Sequence, residues 1–199
     1  MSRVYFITHP DVEIDPAVPI TRWPLSALGR RRMRSALAQP WAADLSEVFS
    51  SDEQKAVDGA EILCRGLDLP RSAVPELGEV DRSATGFLPG PEFWDVVEAF
   101  FAEPDRSARG WERAAAAQDR VAAAVERILA SARDGSLALV SHGSVGALLL
   151  CRLKGAPISR SALQPDPPAS GDHGGFYFSF ERESRRLLHG WRAVDASED

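Results

Sequence analysis

The sequence predicts an α/β fold, a three-layer α/β/α sandwich with a mostly parallel central sheet. Two observations predict this fold class. Short apolar stretches such as residues 3–8 and 136–141 alternate with helix-forming stretches along the chain. Strands that alternate with helices usually form parallel sheets with both faces covered. The 199 residues show no internal repeat, so we expect a single domain over residues 1–199.

The predicted elements follow from apolar periodicity and from capping and turn residues. Strands are expected over residues 3–8, 45–51, 136–141, 176–180 and 186–194. Helices are expected over residues 27–37, from 52 through 63, and over 92–102, 111–132 and 145–153. Ser26 and Asp52 are the expected N-caps of the first two helices. Residues 70–91 and 165–175 are rich in turn formers and are predicted to be loops, the first as a possible lid.

Composition excludes several classes of protein. The formal net charge of -6 argues against a generally basic nucleic-acid binder. The early apolar run 4–7 is shorter than a signal-peptide core, and no stretch approaches the ~20 residues that span a bilayer. We therefore expect a cytoplasmic protein that binds neither nucleic acid nor membrane. Cys64 and Cys151 lack the spacing of a zinc site and are expected to be buried free thiols.

Two histidines stand at matching places in the predicted fold. His9 follows the first strand, and His142 follows the strand at 136–141. Ligands of parallel α/β sheets bind beyond the carboxyl ends of the strands, so the two imidazoles can share one pocket there. A neutral imidazole with one nitrogen held by a carbonyl can attack phosphorus with the other. A single histidine is more often a packing residue, but two at equivalent junctions favour phosphoryl transfer.

Four segments resemble the histidine phosphatase superfamily, also called phosphoglycerate mutase-like, and they occur in the family's order. Residues 5–10, Tyr-Phe-Ile-Thr-His-Pro, resemble its opening Arg-His-Gly strand. Residues 24–29, Pro-Leu-Ser-Ala-Leu-Gly, resemble the start of its first helix. Residues 48–51, Val-Phe-Ser-Ser, and 138–143, Ala-Leu-Val-Ser-His-Gly, resemble its Ser-Ser strand end and its second His-Gly strand.

The resemblance implies roles for three residues and a phosphatase activity without a metal ion or organic cofactor. It implies His9 as the nucleophile, His142 as the second pocket imidazole and Glu79 as the proton donor. Glu76 or Asp81 remain alternatives to Glu79. Independently of the resemblance, Gly143 and Ser144 begin a helix whose N–H groups and dipole favour an anion, so they are expected to help hold the phosphate.

The chain departs from the family pattern where the phosphate is normally clamped by two arginines. Thr8 and Lys55 stand at those positions, and Pro10 replaces a glycine. Thr8 and Lys55 are the expected phosphate contacts, although neither offers the forked donors of arginine. Arg82 is the first candidate to compensate.

Arg22 and Arg160 are further candidates for such compensation, and Trp23 and Trp94 for walls of the pocket. His173 is assigned no role. Loss of a preorganised donor typically costs on the order of 10²–10³ in rate, so the activity is expected to be weak or narrow.

We expect a phosphatase that hydrolyses a small phosphomonoester through a phosphohistidine. The alternative is a catalytically weak or inactive protein of the same fold that binds a phosphorylated ligand. A mutase is a third possibility that nothing in the sequence selects. The substrate and the oligomeric state do not follow from the sequence.

Overall fold

The computed structural model describes residues 2–165 and 174–196. His173 and most of the loop predicted at 165–175 lie outside the described residues. Strands in the described part are β1 (Arg3–Thr8), β2 (Leu45–Ser50), β3 (Arg71–Ala73), β4 (Ser136–Ser141), β5 (Phe176–Glu181) and β6 (Leu187–Ala193). Helices there are α1 (Ala27–Ser35), α2 (Gln54–Leu67), α3 (Gly90–Ala102), α4 (Ala114–Ser131) and α5 (Gly143–Lys154).

The strands form one sheet in the order β3-β2-β4-β1-β5-β6. Strands β1 to β4 run parallel to one another, whereas β5 and β6 are antiparallel and close one edge. The mostly parallel sheet predicted from the sequence is confirmed. The two central strands, β1 and β4, are those predicted to end at the histidines.

Helices cover both faces of the sheet and enclose two apolar cores. Val4 and Phe6 of β1 pack into the core beneath α3, α4 and α5. Tyr5 and Ile7 of the same strand pack into the core beneath α1 and α2. Fully burying an apolar side chain of this size contributes about 1.5–3 kcal/mol, so this alternation fixes the register of the central strand. The polar side chains of the candidate site lie at the ends of the strands.

Strand β3 was not predicted, because residues 70–91 were interpreted as an irregular loop. The strand is three residues long and pairs with Val48, Phe49 and Ser50 of β2 at the edge of the sheet. Its side chains are exposed or half-buried, so no apolar alternation marks it in the sequence.

The predicted Asp52 cap of α2 is wrong. The helix begins at Gln54, and Glu53 is its N-cap residue without a side-chain capping bond. The Ser51 hydroxyl accepts the Glu53 N–H at 3.2 Å instead. The start of α2 therefore shifts by one residue, which brings Glu53 into the site described below. By contrast, the predicted Ser26 cap of α1 is confirmed, since its Oγ accepts the Gly29 N–H at 3.0 Å.

The two cysteines differ in exposure. Cys151 is buried as predicted, but Cys64 is only half-buried, because it lies at the end of α2 beside the chain at Pro70. Among the helices of the described part, none is both long and apolar enough to cross a membrane.

Candidate active site

The central strands bring the two predicted histidines together. Thr8 of β1 pairs with Ser141 of β4, and the His9 N–H donates to the Ser141 carbonyl at 3.1 Å. His142 is the residue that directly follows β4. The imidazoles of His9 and His142 meet edge to face, with ring centroids 5.1 Å apart. Their separation is therefore set by the backbone pairing of two buried strands.

His9 is held in the form that a nucleophile needs. Its Nδ1 lies 2.9 Å from the Pro10 carbonyl, so an Nδ1–H donates there and Nε2 carries the lone pair. Burial, together with the nearby Lys55 ammonium, lowers the pKa of His9 to about 4. The ring is neutral at pH 7. Pro10 removes a backbone N–H from this turn, yet its carbonyl still orients the imidazole.

His142 is completely buried. Its Nε2 lies 2.7 Å from the Ser51 hydroxyl and 3.4 Å from Oε1 of Glu53. Burial holds the pKa of His142 well below its usual value. Its Nδ1 has no hydrogen-bond partner among the residues that the structure describes. A buried ring nitrogen without a partner is the kind of group that a ligand completes.

Glu79 occupies the N-terminus of α5. One carboxylate oxygen accepts the Ser144 N–H at 3.2 Å, and the other accepts the Val145 N–H at 3.2 Å. These donors and the helix dipole favour an anion. The sequence predicted that Gly143 and Ser144 would offer this helix end to the phosphate. In the structure a carboxylate of the chain already lies there.

The two alternatives to Glu79, Glu76 and Asp81, line the same cavity but have other partners. The exposed Glu76 pairs with Arg127 at 2.8 Å. The exposed Asp81 carboxylate accepts the Ser83 N–H at 2.9 Å, as in a local turn. Of the three carboxylates considered from the sequence, the Glu79 side chain is the one that contacts the segment following His142.

The hydroxyl of Thr8 is hydrogen-bonded within the chain. Its hydroxyl is 2.8 Å from Oε1 of Gln164 and accepts the Phe176 N–H at 3.0 Å. The side chain is 1% exposed. The Thr8 hydroxyl is thus engaged by Gln164 and by Phe176 of β5, and its phosphate contact stays a prediction. Gln164 also borders Gly143, where an added Cβ would lie 3.3 Å from its amide nitrogen.

Lys55, the second predicted phosphate contact, is paired within the chain. Its Nζ lies 2.5 Å from Oε2 of Glu53 and 2.9 Å from the Ile20 carbonyl. The side chain is 3% exposed. Lys55 stands where the family has an arginine, and its positive charge is balanced by the carboxylate of Glu53.

Glu53 is a residue of the candidate site that the sequence reasoning missed. It is buried, and its Oε1 also accepts the Glu79 N–H at 2.8 Å. Burial raises the pKa of the Glu53 carboxyl, but His142, Lys55 and the Glu79 N–H outweigh burial and lower it to about 2. Glutamate is common in the first turn of helices, so nothing in the sequence distinguishes Glu53 from a surface residue.

Of the three arginines considered as compensation, only Arg82 lines the cavity beside these residues. Its guanidinium carbon lies 5.2 Å from the Phe93 ring centroid and 5.5 Å from that of Trp111. Its charge contributes to lowering the pKa of both His9 and His142, so it is within electrostatic reach of the pair.

The other two arginines do not line the cavity. Arg160 pairs with Glu98 at 3.0 Å, and Arg22 is exposed.

The cavity has a volume of about 900 Å³. Its lining includes Glu53, Glu79, Arg82, Trp111, Glu112 and Arg120. Arg120 pairs with Glu112 at 2.7 Å and donates to the carbonyls of Gly78 and Glu79, so it fixes the segment that carries Glu79.

Neither tryptophan expected as a wall is in that lining. The Trp23 indole N–H is bonded to carbonyls of Asp15 and Val18, and Trp94 is 41% exposed beside Arg160.

Comparisons with known proteins agree with the fold. Residues 17–170 match the family model of the histidine phosphatase superfamily (branch 1). No curated protein sequence matches the chain. A mycobacterial glucosyl-3-phosphoglycerate phosphatase, solved with inorganic phosphate, is similar with a TM-score of 0.76 and 21% identity, over 99% of this chain and 100% of that one. The Bacillus stearothermophilus protein YhfR is similar with a TM-score of 0.79 and 20% identity, over 99% and 98%.

Proposed function

The chain belongs to the histidine phosphatase superfamily, and from this premise we propose that it hydrolyses a small phosphomonoester through a phosphohistidine on His9. One observation carries the proposal: the neutral His9 ring, with Nδ1 on the Pro10 carbonyl, meets the His142 ring 5.1 Å away at the carboxyl end of the central strands. A held, neutral imidazole is the form in which histidine acts as a nucleophile.

The proposed reaction has two steps. His9 Nε2 attacks phosphorus, an N–P bond forms, and the P–O bond to the alcohol breaks. Glu79, in its acid form, gives the leaving oxygen its proton. In the second step the Glu79 carboxylate takes a proton from water, the water oxygen bonds to phosphorus, and the N–P bond breaks. The enzyme returns to its first state with inorganic phosphate as the product.

The remaining site residues would stabilise charge on the phosphoryl oxygens. When Ser51 donates its hydroxyl proton to Nε2 of His142, Nδ1 carries a hydrogen that has no acceptor among the described residues, and we propose that a phosphoryl oxygen accepts it. Arg82 is the cation at the cavity that carries no ion pair within the described residues. Donors that are already in place stabilise developing charge most when they need no rearrangement during the reaction.

The size of the cavity favours a small organic phosphate. A volume of about 900 Å³ is at the upper end of the range for small-molecule sites and leaves room for an alcohol larger than the phosphoryl group. We propose a small phosphorylated metabolite as the substrate, and the mechanism uses no metal ion and no organic cofactor.

The test is phosphoenzyme formation from an activated aryl phosphate. Wild type is expected to release the aryl alcohol and to form an acid-labile phosphohistidine that peptide mapping locates at His9. His9→Ala is expected to form none. His189→Ala, at a histidine on the distant strand β6, is the matched control and should behave as wild type. Equal rates for wild type and His9→Ala would exclude the mechanism.

A second candidate function has its own support. Both positions predicted to grip phosphate are engaged within the chain, Lys55 by Glu53 and Thr8 by Gln164. This favours the alternative of a phosphate-ligand binding protein without turnover. Binding of a phosphorylated ligand without any trappable phosphoenzyme would support it, and a phosphorylated His9 would exclude it.

A further inference from the structure

We propose that Glu53 determines the ligand specificity of this site, and that the site takes the singly protonated, monoanionic form of a phosphoryl group, whose remaining O–H donates to the Glu53 carboxylate. The inference rests on the proposed function only in placing the phosphoryl group beside His9. It concerns binding, so it can be tested without turnover.

The position of Glu53 relative to the two histidines is the first argument. Its Oε1 lies 3.4 Å from Nε2 of His142, whose ring is in contact with that of His9. The same carboxylate lines the cavity on which Glu79 and Arg82 also lie. A phosphoryl group that approaches His9 Nε2 and His142 therefore comes within reach of a buried carboxylate.

The balance of charge is the second argument. Among the described residues that line the cavity, the basic ones are Arg82 and Arg120, whereas the acidic ones are Asp52, Glu53, Glu76, Glu79, Asp81 and Glu112. The buried Lys55 is paired with Glu53. The two histidines add no charge at pH 7, because their pKa values are lowered. Lys55 only balances the charge of Glu53, so the pair offers a dianionic phosphate no net attraction, and the phosphate oxygens would face the carboxylate without a proton between them. A monoanion meets less repulsion and supplies a donor.

The third argument is that Glu53 keeps acceptor capacity. A carboxylate offers about four lone-pair positions for hydrogen bonds. Lys55 Nζ and the Glu79 N–H are the two donors that it accepts from in the described structure. At least one position is left for a ligand. An O–H donor on an ionised carboxylate makes a short, strong hydrogen bond, whereas an anion without a proton makes none.

Inorganic phosphate and sulfate provide the test, because they have the same size and shape but sulfate carries no proton at neutral or weakly acidic pH. We would measure both affinities by calorimetry at about pH 6, where phosphoryl groups are partly monoanionic. Wild type is expected to bind phosphate at least about tenfold more tightly than sulfate, which corresponds to one hydrogen bond to a charged group. In Glu53→Gln the ratio should fall towards one, since a carboxamide can donate to either anion.

Two variants serve as controls. Glu61→Gln removes a carboxylate from the outer face of the same helix, where Glu61 pairs with Arg65, and should leave the ratio at its wild-type value. Glu53→Asp keeps the charge on a shorter side chain and should retain a preference for phosphate if Glu53→Gln fails to fold.

The outcomes separate this inference from the proposed function. Equal binding of sulfate and phosphate by wild type, no binding of phosphate, or an unchanged ratio in Glu53→Gln would each overturn the role of Glu53. A selective site without a phosphohistidine at His9 would support that role and reject the phosphatase. Turnover through a phosphohistidine on His9, with equal binding of phosphate and sulfate, would support the phosphatase and reject the role of Glu53.

Discussion

The backbone N–H of Ser144 donates to the carboxylate of Glu79, with 3.2 Å between nitrogen and Oε2. Glu79 comes from an irregular segment, and such segments are usually less precisely held than helices. Here the first turn of α5 fixes the side chain, and Arg120 fixes its backbone from the other side. The carboxylate is thereby as rigid as the helix that begins beside His142, which is what a proton donor requires.

Substituting Glu79 by glutamine should separate the two chemical steps. The variant cannot protonate an alkoxide, so we expect hydrolysis of an alkyl phosphate to fall by about 10²–10⁴. An activated aryl alcohol leaves without help, so its initial burst should be retained. Rapid-quench kinetics with the two substrates measure the difference. Glu76→Gln, which alters an exposed carboxylate three residues earlier, is the control. A loss of the same size for both substrates would contradict the role of Glu79 as an acid.

The His9 ring should titrate far below the usual range for histidine. Its pKa is lowered to about 4, so NMR of a ring-labelled protein should show a neutral imidazole at pH 5. If attack by the neutral ring limits the rate, the acid limb of kcat should lie near pH 4. A midpoint near the usual 6.5 would show that the ring is hydrated and not buried against Lys55.

The same shift predicts how the free energy of unfolding depends on pH. A histidine whose pKa is lowered in the folded state binds protons more readily when unfolded, so stability is lost as pH falls from about 6.5 towards 4. Urea unfolding at pH 7 and pH 5 measures this loss. His9→Gln removes the titrating group and should lose less stability between those pH values than wild type. An equal loss would assign the effect to other groups, with His142 the first to consider.

The ion pair between Lys55 and Glu53 should be costly to break on one side. Lys55→Met leaves a buried carboxylate without its cation, and we expect about 3–5 kcal/mol less stability. Adding Glu53→Gln should recover part of this loss. Together these variants form a double-mutant cycle. A second cycle on the exposed pair Arg65–Glu61 of the same helix is the control, and its coupling free energy should be about 0–1 kcal/mol. Equal coupling in the two cycles would mean that the buried pair is solvated.

Gly174 should be intolerant of any side chain. Its φ is +68°, and an added Cβ would lie 2.1 Å from the carbonyl oxygen of His9. Gly174→Ala therefore has to displace the backbone of the nucleophile. Gly155 has a φ of +61° with open space around it, so Gly155→Ala should cost only the left-handed strain of about 1–2 kcal/mol. Thermal unfolding and phosphoenzyme formation compare the two, and equal losses would contradict the contact with His9.

The sequence was sufficient for the parts of the fold that are long and strongly apolar. Strands β1 and β4 have buried side chains at nearly every position, and their bounds were predicted without error. The order of helices and strands then placed His9 and His142 at one edge. Strand β3 escaped prediction because three exposed residues at a sheet edge carry no apolar pattern.

The charge of the site could not be predicted in the same way. A segment with Glu53 and Lys55 two residues apart does not reveal whether the side chains meet, since that depends on where α2 begins. The helix begins after Glu53 and not after Asp52, and the Glu53 carboxylate is buried against Lys55 and the Glu79 N–H. The contact between Thr8 and Gln164 joins residues 156 positions apart, which local patterns do not report.

The pairing of Thr8 with Ser141 affects how such a site can change in evolution. The separation of the two imidazoles is fixed by main-chain hydrogen bonds between β1 and β4, and no side chain of the cavity takes part in them. Neighbouring positions can therefore exchange charged for neutral residues while the histidines stay in place. Residues that bind the ligand can therefore change by single substitutions while the positions of His9 and His142 are kept, and new ligand specificities can arise on this fold.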